Sequence, residues 1–407
     1  SKITVSEGEI ENFLLEQSGR KEAATEYSIA HILVRVPEQA SPEQLEARRE
    51  AMPLQRPRPL RARGDATELA AHEAFIEKLG ENAIWKEYAA ALSERAKAGV
   101  QVNVIYDSSG STDANEEIFA GMRTAGINVI EYHPIRPWQP RWGWWRRDHR
   151  KILGVDGEVG FAGGLNIADL YQAPEKGGLG WRDTHVRVDG PAVEDLQRFF
   201  IAVWRRAGGR RLDKRRYLPP LVPVGDAPVS IVGNTLLWNR WAIRRSALTA
   251  FRMAKKTIWI ANAYFVPDGT ILGEIVRARA RGVDVRIMVP GNNENVIVGW
   301  AARSLYQMLL DEGVRIFEWM GPMLHAKTMV VDGVWSTVGS FNLDRWSLVN
   351  NLEVSVNAYA PSVGAELETM FEQDLLLCDE VTADAWLRRP AMWRVKEWLC
   401  GWLKPWL

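Results

Sequence analysis

RRDHRKILGVDGEVGFAGGLN, residues 146–166, holds a His, a Lys, an Asp and an Asn at intervals that a second stretch, GPMLHAKTMVVDGVWSTVGSFN at 321–342, repeats without insertion. His149, Lys151, Asp156, Gly163 and Asn166 match His325, Lys327, Asp332, Gly339 and Asn342. In both, an apolar run stops at Asp-Gly and resumes at once, which is the signal for a β-hairpin. Residues two apart on a strand share a face, so each His and its Lys are expected to point to one place. The returning strand carries Gly163-Gly164 or Gly339-Ser340, where a small residue would let a ligand approach the backbone, and then an Asn amide. An imidazole, an ammonium and an amide donor that converge suit a phosphodiester. Lys and Asn hold its charged oxygens while the imidazole attacks phosphorus or protonates a leaving oxygen. One His and one Lys alternating on a strand are usually a solvated face. Two copies extended by Gly and Asn at equal offsets leave little room for chance. Asp156 and Asp332, each before a Gly in a tight turn, read on their own as turn residues.

The repeat, roughly 176 residues from His149 to His325, implies a duplicated chain. Before each motif comes a helical pattern ending in Gly and a Val-rich strand, LSERAKAGVQVNVIYD in one half and VRARARGVDVRIMVPG in the other. Strands alternating with helices predict a mixed sheet covered by helices in each half. The divisions expected are a front segment at 1–55, a linker at 56–65, a first lobe at 66–213, a connection at 214–228, a second lobe at 229–379 and an amphipathic tail at 380–407. In the front segment, SEGEIENFLLEQSG reads as an amphipathic helix, and YSIAHILVRVPEQASPEQLEARRE as a strand followed by a helix start capped at Ser41.

Lys plus Arg and Asp plus Glu both number 51, so no global field draws the chain to nucleic acid. Cys378 and Cys400 have neither metal-ligand nor redox spacing, and no other cluster has the spacing of a metal site, so neither metal nor cofactor is expected. No apolar run of about 18 residues and no signal pattern is visible, which makes any membrane contact peripheral. The 19 Trp, several beside Arg, suit a surface at a lipid headgroup boundary. They concentrate in RPWQPRWGWWRRDHR at 136–150 and in the tail. There Met392, Val395, Leu399 and Trp402 fall at helical spacing, with Arg394, Lys396 and Lys404 elsewhere on the segment.

The duplicated signature resembles that of the phospholipase D superfamily, with Gly164 where a Ser is usual. RDHRKILGVDG, GGLNIAD, WRDTHVRVDGPAV, ANAYFVPD, RGVDVRIMVPG, LHAKTMVVDG and GSFNLDRWSLVNNLE resemble bacterial cardiolipin synthases more narrowly, from about Leu92 onward. Residues 1 to about 50 resemble only the opening of a parvulin-type peptidyl-prolyl isomerase domain of periplasmic chaperones. The main resemblance implies an α/β fold of two phospholipase D-like lobes, each a mixed β-sheet flanked by helices, with one active site at their interface. It implies a catalytic set of His149, Lys151, Asp156, His325, Lys327 and Asp332, and phosphate binding by Lys151, Asn166, Lys327 and Asn342. His149 would be the nucleophile and His325 the acid and base, oriented by Asp183 and Glu353, with His185 a neighbour. The implied reaction moves a phosphatidyl group from one phosphatidylglycerol to another through a phosphohistidine, giving cardiolipin and glycerol at the bacterial inner membrane.

Rivals are a hydrolytic phospholipase D or nuclease on the same fold and, in another class, a chaperone or binding protein suggested by the front segment. The sequence leaves the oligomeric state open. The chain departs from the family in one respect. Where the first lobe should open with a helix and a strand, residues 72–99 read as mostly helix. Either the first sheet lacks one member or the front segment has replaced it. Residues 1–50 carry no site residue and are expected to be dispensable for the chemistry.

Overall fold

The computed structural model describes residues 26–30, 83–111, 114–135, 145–174, 177–234 and 240–407. The expected front helix, the Ser41 cap, the 56–65 linker and most of the Trp-rich stretch at 136–150 lie outside the described residues.

The first sheet contains β1 (Glu26–Ala30), β2 (Gln101–Asp107), β3 (Asn128–Tyr132), β4 (Lys151–Val155), β5 (Val159–Gly163) and β6 (His185–Asp189), in the order β3-β2-β1-β4-β5-β6. The second contains β7 (Val229–Gly233), β8 (Thr257–Asn262), β9 (Asp284–Pro290), β10 (Arg315–Trp319), β11 (Lys327–Val331), β12 (Trp335–Gly339), β13 (Val354–Tyr359) and β14 (Cys378–Val381). Its order is β14-β10-β9-β8-β11-β12-β13-β7. The six strands from β10 to β13 reproduce the first sheet member for member, and β14 and β7 extend the two edges.

Position β8 has its counterpart in β1. Glu26–Ala30 pairs in parallel with β2 and antiparallel with β4, next to the first motif strand. The front segment thus supplies the member that β8 provides in the second sheet, while the described residues 83–99 contribute the helix Ala83–Lys97. The expectation that residues 1–50 are dispensable is corrected for this piece. A strand hydrogen-bonded on both edges cannot leave without opening the sheet.

Each motif folds as a hairpin. Asp156 and Asp332 have φ of 52° and 54°, followed by Gly157 and Gly333 at 72° and 65°, and two successive left-handed residues match the twist of the flanking strands. The Asp332 carboxylate accepts the backbone N–H of Lys255, Lys256 and Thr257 at 2.7–3.2 Å, pinning the turn to the start of β8. Burial would push its pKa up, but these N–H donors hold it below the usual carboxylate range.

Helices fill the outer layers. Gly269–Ala280 starts where Asp268 accepts the N–H of Thr270 and Ile271, and Glu116–Thr124 starts where Asn115 accepts that of Glu117. One core lies under the helices of each lobe, around Phe119 and Leu153 in the first and around Phe251 and Ile275 in the second. A third joins the lobes: Ile152, Ala162 and Val186 of the first sheet pack with Val330, Val338 and Val356 of the second. The motif hairpins therefore meet across a shared apolar seam that fixes their Lys-bearing ends relative to one another.

The tail begins inside the fold. Trp386 is buried in the second lobe's core with its ring tilted against Tyr306, 4.9 Å between centroids. Arg389 holds the buried Glu397 carboxylate at 2.8–3.0 Å. Only from the helix Ala391–Gly401 onward does an apolar face look outward. No helix among the described residues is long and apolar enough to cross a membrane.

Candidate active site

Lys151 and Lys327 are the first residues of β4 and β11, so His149 and His325 sit just ahead of the strands and not on them, as the alternation argument had placed them. Each histidine is held by the opposite lobe. The His149 N–H donates to Leu352 O at 3.0 Å, and Leu352 N–H donates to Arg147 O at 2.8 Å. In the other half, the His325 N–H donates to Arg182 O at 2.7 Å, and Arg182 N–H to Met323 O at 2.9 Å. The next residue in each bridging segment is a carboxylate, which carries the crossing into the side chains. His149 Nδ1 lies 3.0 Å from both oxygens of Glu353, and His325 Nδ1 lies 2.6 Å from Asp183 Oδ2. Sequence positions identify the two carboxylates, but not that each serves the histidine of the other lobe.

A carboxylate on Nδ1 fixes the tautomer that leaves Nε2 free for chemistry. The environments nonetheless differ. The His149 side chain is 28% exposed, that of His325 only 6%. Tyr171 and Trp181 wall His325 in, with ring centroids 5.9 and 5.8 Å away. Its Nδ1 also has Tyr171 Oη and Lys327 Nζ at 2.9 Å. One ring nitrogen offers a single hydrogen-bonding position, and the charge-assisted bond to Asp183 is the shortest, so the other two lie beside it. Burial, reinforced by the Lys327 charge, pushes the His325 imidazolium down to about 3 against the pull of Asp183. Burial would raise Asp183 too, but Lys327 and His325 hold it below its ordinary value.

The ammonium groups are buried and close enough to the carboxylates to feel both. Lys151 Nζ donates to His149 O at 2.8 Å, and Lys327 Nζ to His325 O. Burial pushes each down to about 8, with Glu353 and Asp183 pulling the other way. Asn342 is buried, and its Oδ1 has no protein partner among the described residues. Asn166 Nδ2 reaches the Tyr171 hydroxyl at 3.2 Å. Two histidines and two lysines thus gather at the lobe interface, with Asn166 tied to them through Tyr171.

Asp156 and Asp332, taken as part of the catalytic set, do not join them. They stand in hairpin turns five residues along the strand from each Lys, about 16 Å at strand rise. The glycines serve protein contacts where ligand approach was expected. A Cβ on Gly163 would lie 2.4 Å from Thr184 O, one on Gly339 2.4 Å from Val354 O, and one on Gly164 2.2 Å from Asp183 Oδ1. Where the first motif needs Gly164 to admit Asp183, the second has Ser340, whose hydroxyl donates to Glu353. His185 lies across from Gly163 on β6, and burial pushes it down to about 3. Both its ring nitrogens lack partners among the described residues.

Sequence reading gave Ser340 another duty and missed Tyr171, Trp181 and Asn351, whose Nδ2 donates to Glu353 at 3.1 Å. Trp181 stands two residues before Asp183 and could have been found from that spacing. Tyr171 is brought in by a single 3-10 turn, Asp169–Tyr171, that no motif announces.

The model of a "Cardiolipin synthase, PLD-like domain" family matches residues 248–375. A cardiolipin synthase of Halalkalibacterium halodurans is 33% identical over 345 residues, covering 84% of this chain and 68% of that protein. One of Geobacillus sp. strain WCH70 is 36% identical over 319 residues, covering 77% and 63%. The chain therefore spans about two thirds of the length of these relatives. Among solved structures, phosphatidylserine synthase of Haemophilus influenzae Rd KW20 aligns with a TM-score of 0.60 at 13% identity, over 100% of this chain and 92% of that one. At that identity the likeness speaks for the fold.

Proposed function

We propose, because this chain belongs to the cardiolipin synthase family of the phospholipase D superfamily, that it transfers a phosphatidyl group from one phosphatidylglycerol to another, releasing glycerol. The observation that carries the reading is the crossed pair of His–carboxylate couples beside two buried lysines. Lys151, Lys327, Asn166 and Asn342 hold the phosphodiester oxygens. His149, the more accessible imidazole, attacks phosphorus through Nε2, and Glu353 stabilises the positive charge that develops on the ring. The P–O bond to glycerol breaks and His325 gives the departing oxygen its proton. The empty site keeps His325 neutral, and the negative charge of the arriving lipid is what favours its protonation. Neutral His325 then takes the proton of the second lipid's hydroxyl. That oxygen attacks phosphorus, the P–N bond breaks and His149 is restored. Asp183 holds His325 through both proton transfers.

The outward face of the helix Ala391–Gly401 supports a peripheral seat on the bacterial inner membrane. Met392, Val395, Leu399 and Trp402, the stripe read from sequence, are 67%, 54%, 54% and 67% exposed. The opposite face is taken up by protein, with Trp393 against Trp300 at 5.4 Å. A solvated stripe of that size suits burial among headgroups and acyl chains.

Purified protein is incubated with phosphatidylglycerol vesicles and, separately, with DNA. Cardiolipin with equimolar glycerol supports the transferase. Phosphatidate without cardiolipin would make the protein a hydrolase, and cut strands a nuclease. Absence of any product from a folded protein would favour the binding-protein alternative.

A further inference from the structure

Beside Lys327 the second sheet presents the carboxyl ends of two parallel strands, the usual place for a ligand on such a sheet. Lys327 pairs with Asn262, the last residue of β8, and Tyr264 follows two residues later. The loop after β9 brings Glu294 alongside, and the Tyr264 hydroxyl donates to its carboxylate. Asn293 fixes this loop by donating from Nδ2 to Ala263 O at 3.0 Å. Tyr264 and Glu294, with Asn295, Val296 and Ile297, line an open depression of about 520 Å³. Glu294 is within electrostatic reach of Lys327 in its own lobe and of Tyr171 in the other, so the depression adjoins the wall of the His325 half of the site.

We infer that this depression is the subsite for the polyol headgroup of the acceptor lipid, with Glu294 as the hydroxyl-reading residue and Tyr264 its support. The inference rests on the transferase reading and deepens it. One side of the mouth is cationic and holds phosphate; a carboxylate on the other repels phosphate and accepts hydrogen bonds from hydroxyls. A headgroup with a phosphate at one end and hydroxyls at the other is thereby oriented, its free hydroxyl brought toward His325. The Tyr264 phenol stays protonated, since burial and the Glu294 charge both raise its pKa, and so it holds one carboxylate oxygen while the other serves the ligand. Val296 and Ile297, both exposed, are placed to meet the apolar part of the same lipid. They begin the helix Val296–Arg303, against which the membrane-facing helix packs.

The test is the partition of the phosphatidyl intermediate between acceptor lipid and water. Wild type, Glu294→Gln, Glu294→Asp and Tyr264→Phe are given short-chain phosphatidylglycerol, and the ratio of cardiolipin to phosphatidate is measured. The ratio should fall about tenfold in Glu294→Gln, the loss of one charge-assisted hydrogen bond, and less in Tyr264→Phe. Glu294→Asp should recover part of it. Glu294 is exposed, so the two changes at that position disturb no core. An unchanged ratio in Glu294→Gln would overturn the subsite while leaving the transferase intact. Stronger inhibition of wild type by an ethanolamine-headed lipid than by a glycerol-headed one, lost in Glu294→Gln, would overturn the polyol assignment in favour of an ammonium. Wild type that yields phosphatidate alone sinks the transferase reading, and the subsite with it, before any variant is made.

Discussion

Arg182 and Leu352 stand at equivalent places, each the residue before the carboxylate that crosses to the other lobe's histidine, and each side chain reaches into the opposite lobe. Arg182 forms a two-pronged ion pair with Asp374 on the helix Pro361–Leu375, at 3.1 Å from Nε and 2.9 Å from Nη2. Leu352 instead enters an apolar cluster of the first lobe with Ile105, Tyr132, Phe200 and Trp204. The duplicated chain has kept the joint and changed its chemistry. A backbone bridge and a carboxylate are what each histidine requires, and either an ion pair or a packed side chain can lock the bridge in place. The two halves have also diverged in what surrounds the imidazole, open at His149 and enclosed at His325, so equal motifs need not mean equal roles.

The sharpest way to break that comparison is to remove one histidine at a time. Either His→Asn change should lower turnover by on the order of 10⁴ or more, because the groups act as a unit. The difference lies in what accumulates. With an activated lipid whose leaving group needs little protonation, His325→Asn should become labelled and stay so, as no base remains to activate the acceptor. Acid-labile, base-stable label on the peptide holding His149, absent from His149→Asn, is the expected result. Label on His325 in the converse variant would reverse the roles.

Next come the joints and the glycine. Arg182→Met leaves the half-buried Asp374 without its ion pair, costing about 2 kcal/mol, and Leu352→Ala opens a cavity at about 2–5 kcal/mol, so thermal unfolding should show losses in both. Activity should not be comparable in kind. Arg182→Met loosens Asp183 and should slow loading by natural lipid, which needs His325 as acid, by about 10–100-fold while sparing the loading of His149 by the activated one. Leu352→Ala loosens Glu353 and should slow both. Gly164→Ala should behave like Arg182→Met, since a Cβ 2.2 Å from Asp183 Oδ1 must displace that carboxylate. Equal slowing of both lipids in every variant would reduce the joints to scaffolding.

How much of this could be read beforehand follows the same division. The hairpins and their turns were legible because an Asp-Gly turn between two apolar runs is a local fact, whereas the period of two put each Lys on its strand and misplaced each His, which stands just ahead of it. The crossing of Asp183 and Glu353 was not, since sequence offsets are identical whether a carboxylate serves its own lobe or the other. Strand β1 was half legible: its residues read as a strand and a front segment filling the vacant place was one of two alternatives, but no motif chose between them, and only the pairing with β2 and β4 does. Asp332 divides the two kinds of reading. Its own context marked it as a turn residue while the resemblance counted it with the catalytic set, and it holds backbone N–H groups at the start of β8.

Acidity tests whether the two lysines, unlike the histidines, remain equivalent. Both fall to about 8, chiefly through burial, so above that pH the free site loses its cations. A bound phosphodiester favours the protonated forms, and by linkage its affinity should weaken as pH rises past about 8, approaching tenfold per pH unit for each lysine involved. KM for the lipid should carry this limb. Lys327→Arg, which stays charged, should flatten it by one lysine's share, and Lys151→Arg should do the same. A limb that only one substitution flattens would show that a single lysine holds the phosphate.

The smallest effect expected is at Ser340. Its hydroxyl donates to Glu353, which also receives Asn351 and faces His149, so Ser340→Ala removes one of several donors to a fully buried carboxylate. Losing such a bond costs about 1 kcal/mol, or roughly fivefold in rate if Glu353 shifts with it. The first lobe offers the control. Asp183 has Gly164 in place of a hydroxyl and draws instead on the Thr184 N–H at 2.6 Å and on the charge of Lys327. If the serine matters only through Glu353, Ser340→Ala should slow loading of His149 by activated lipid and leave the later release to acceptor unaltered. Slower release with unchanged loading would mean that Ser340 acts on the His325 half, and that the two carboxylates are coupled more closely than the crossed geometry implies.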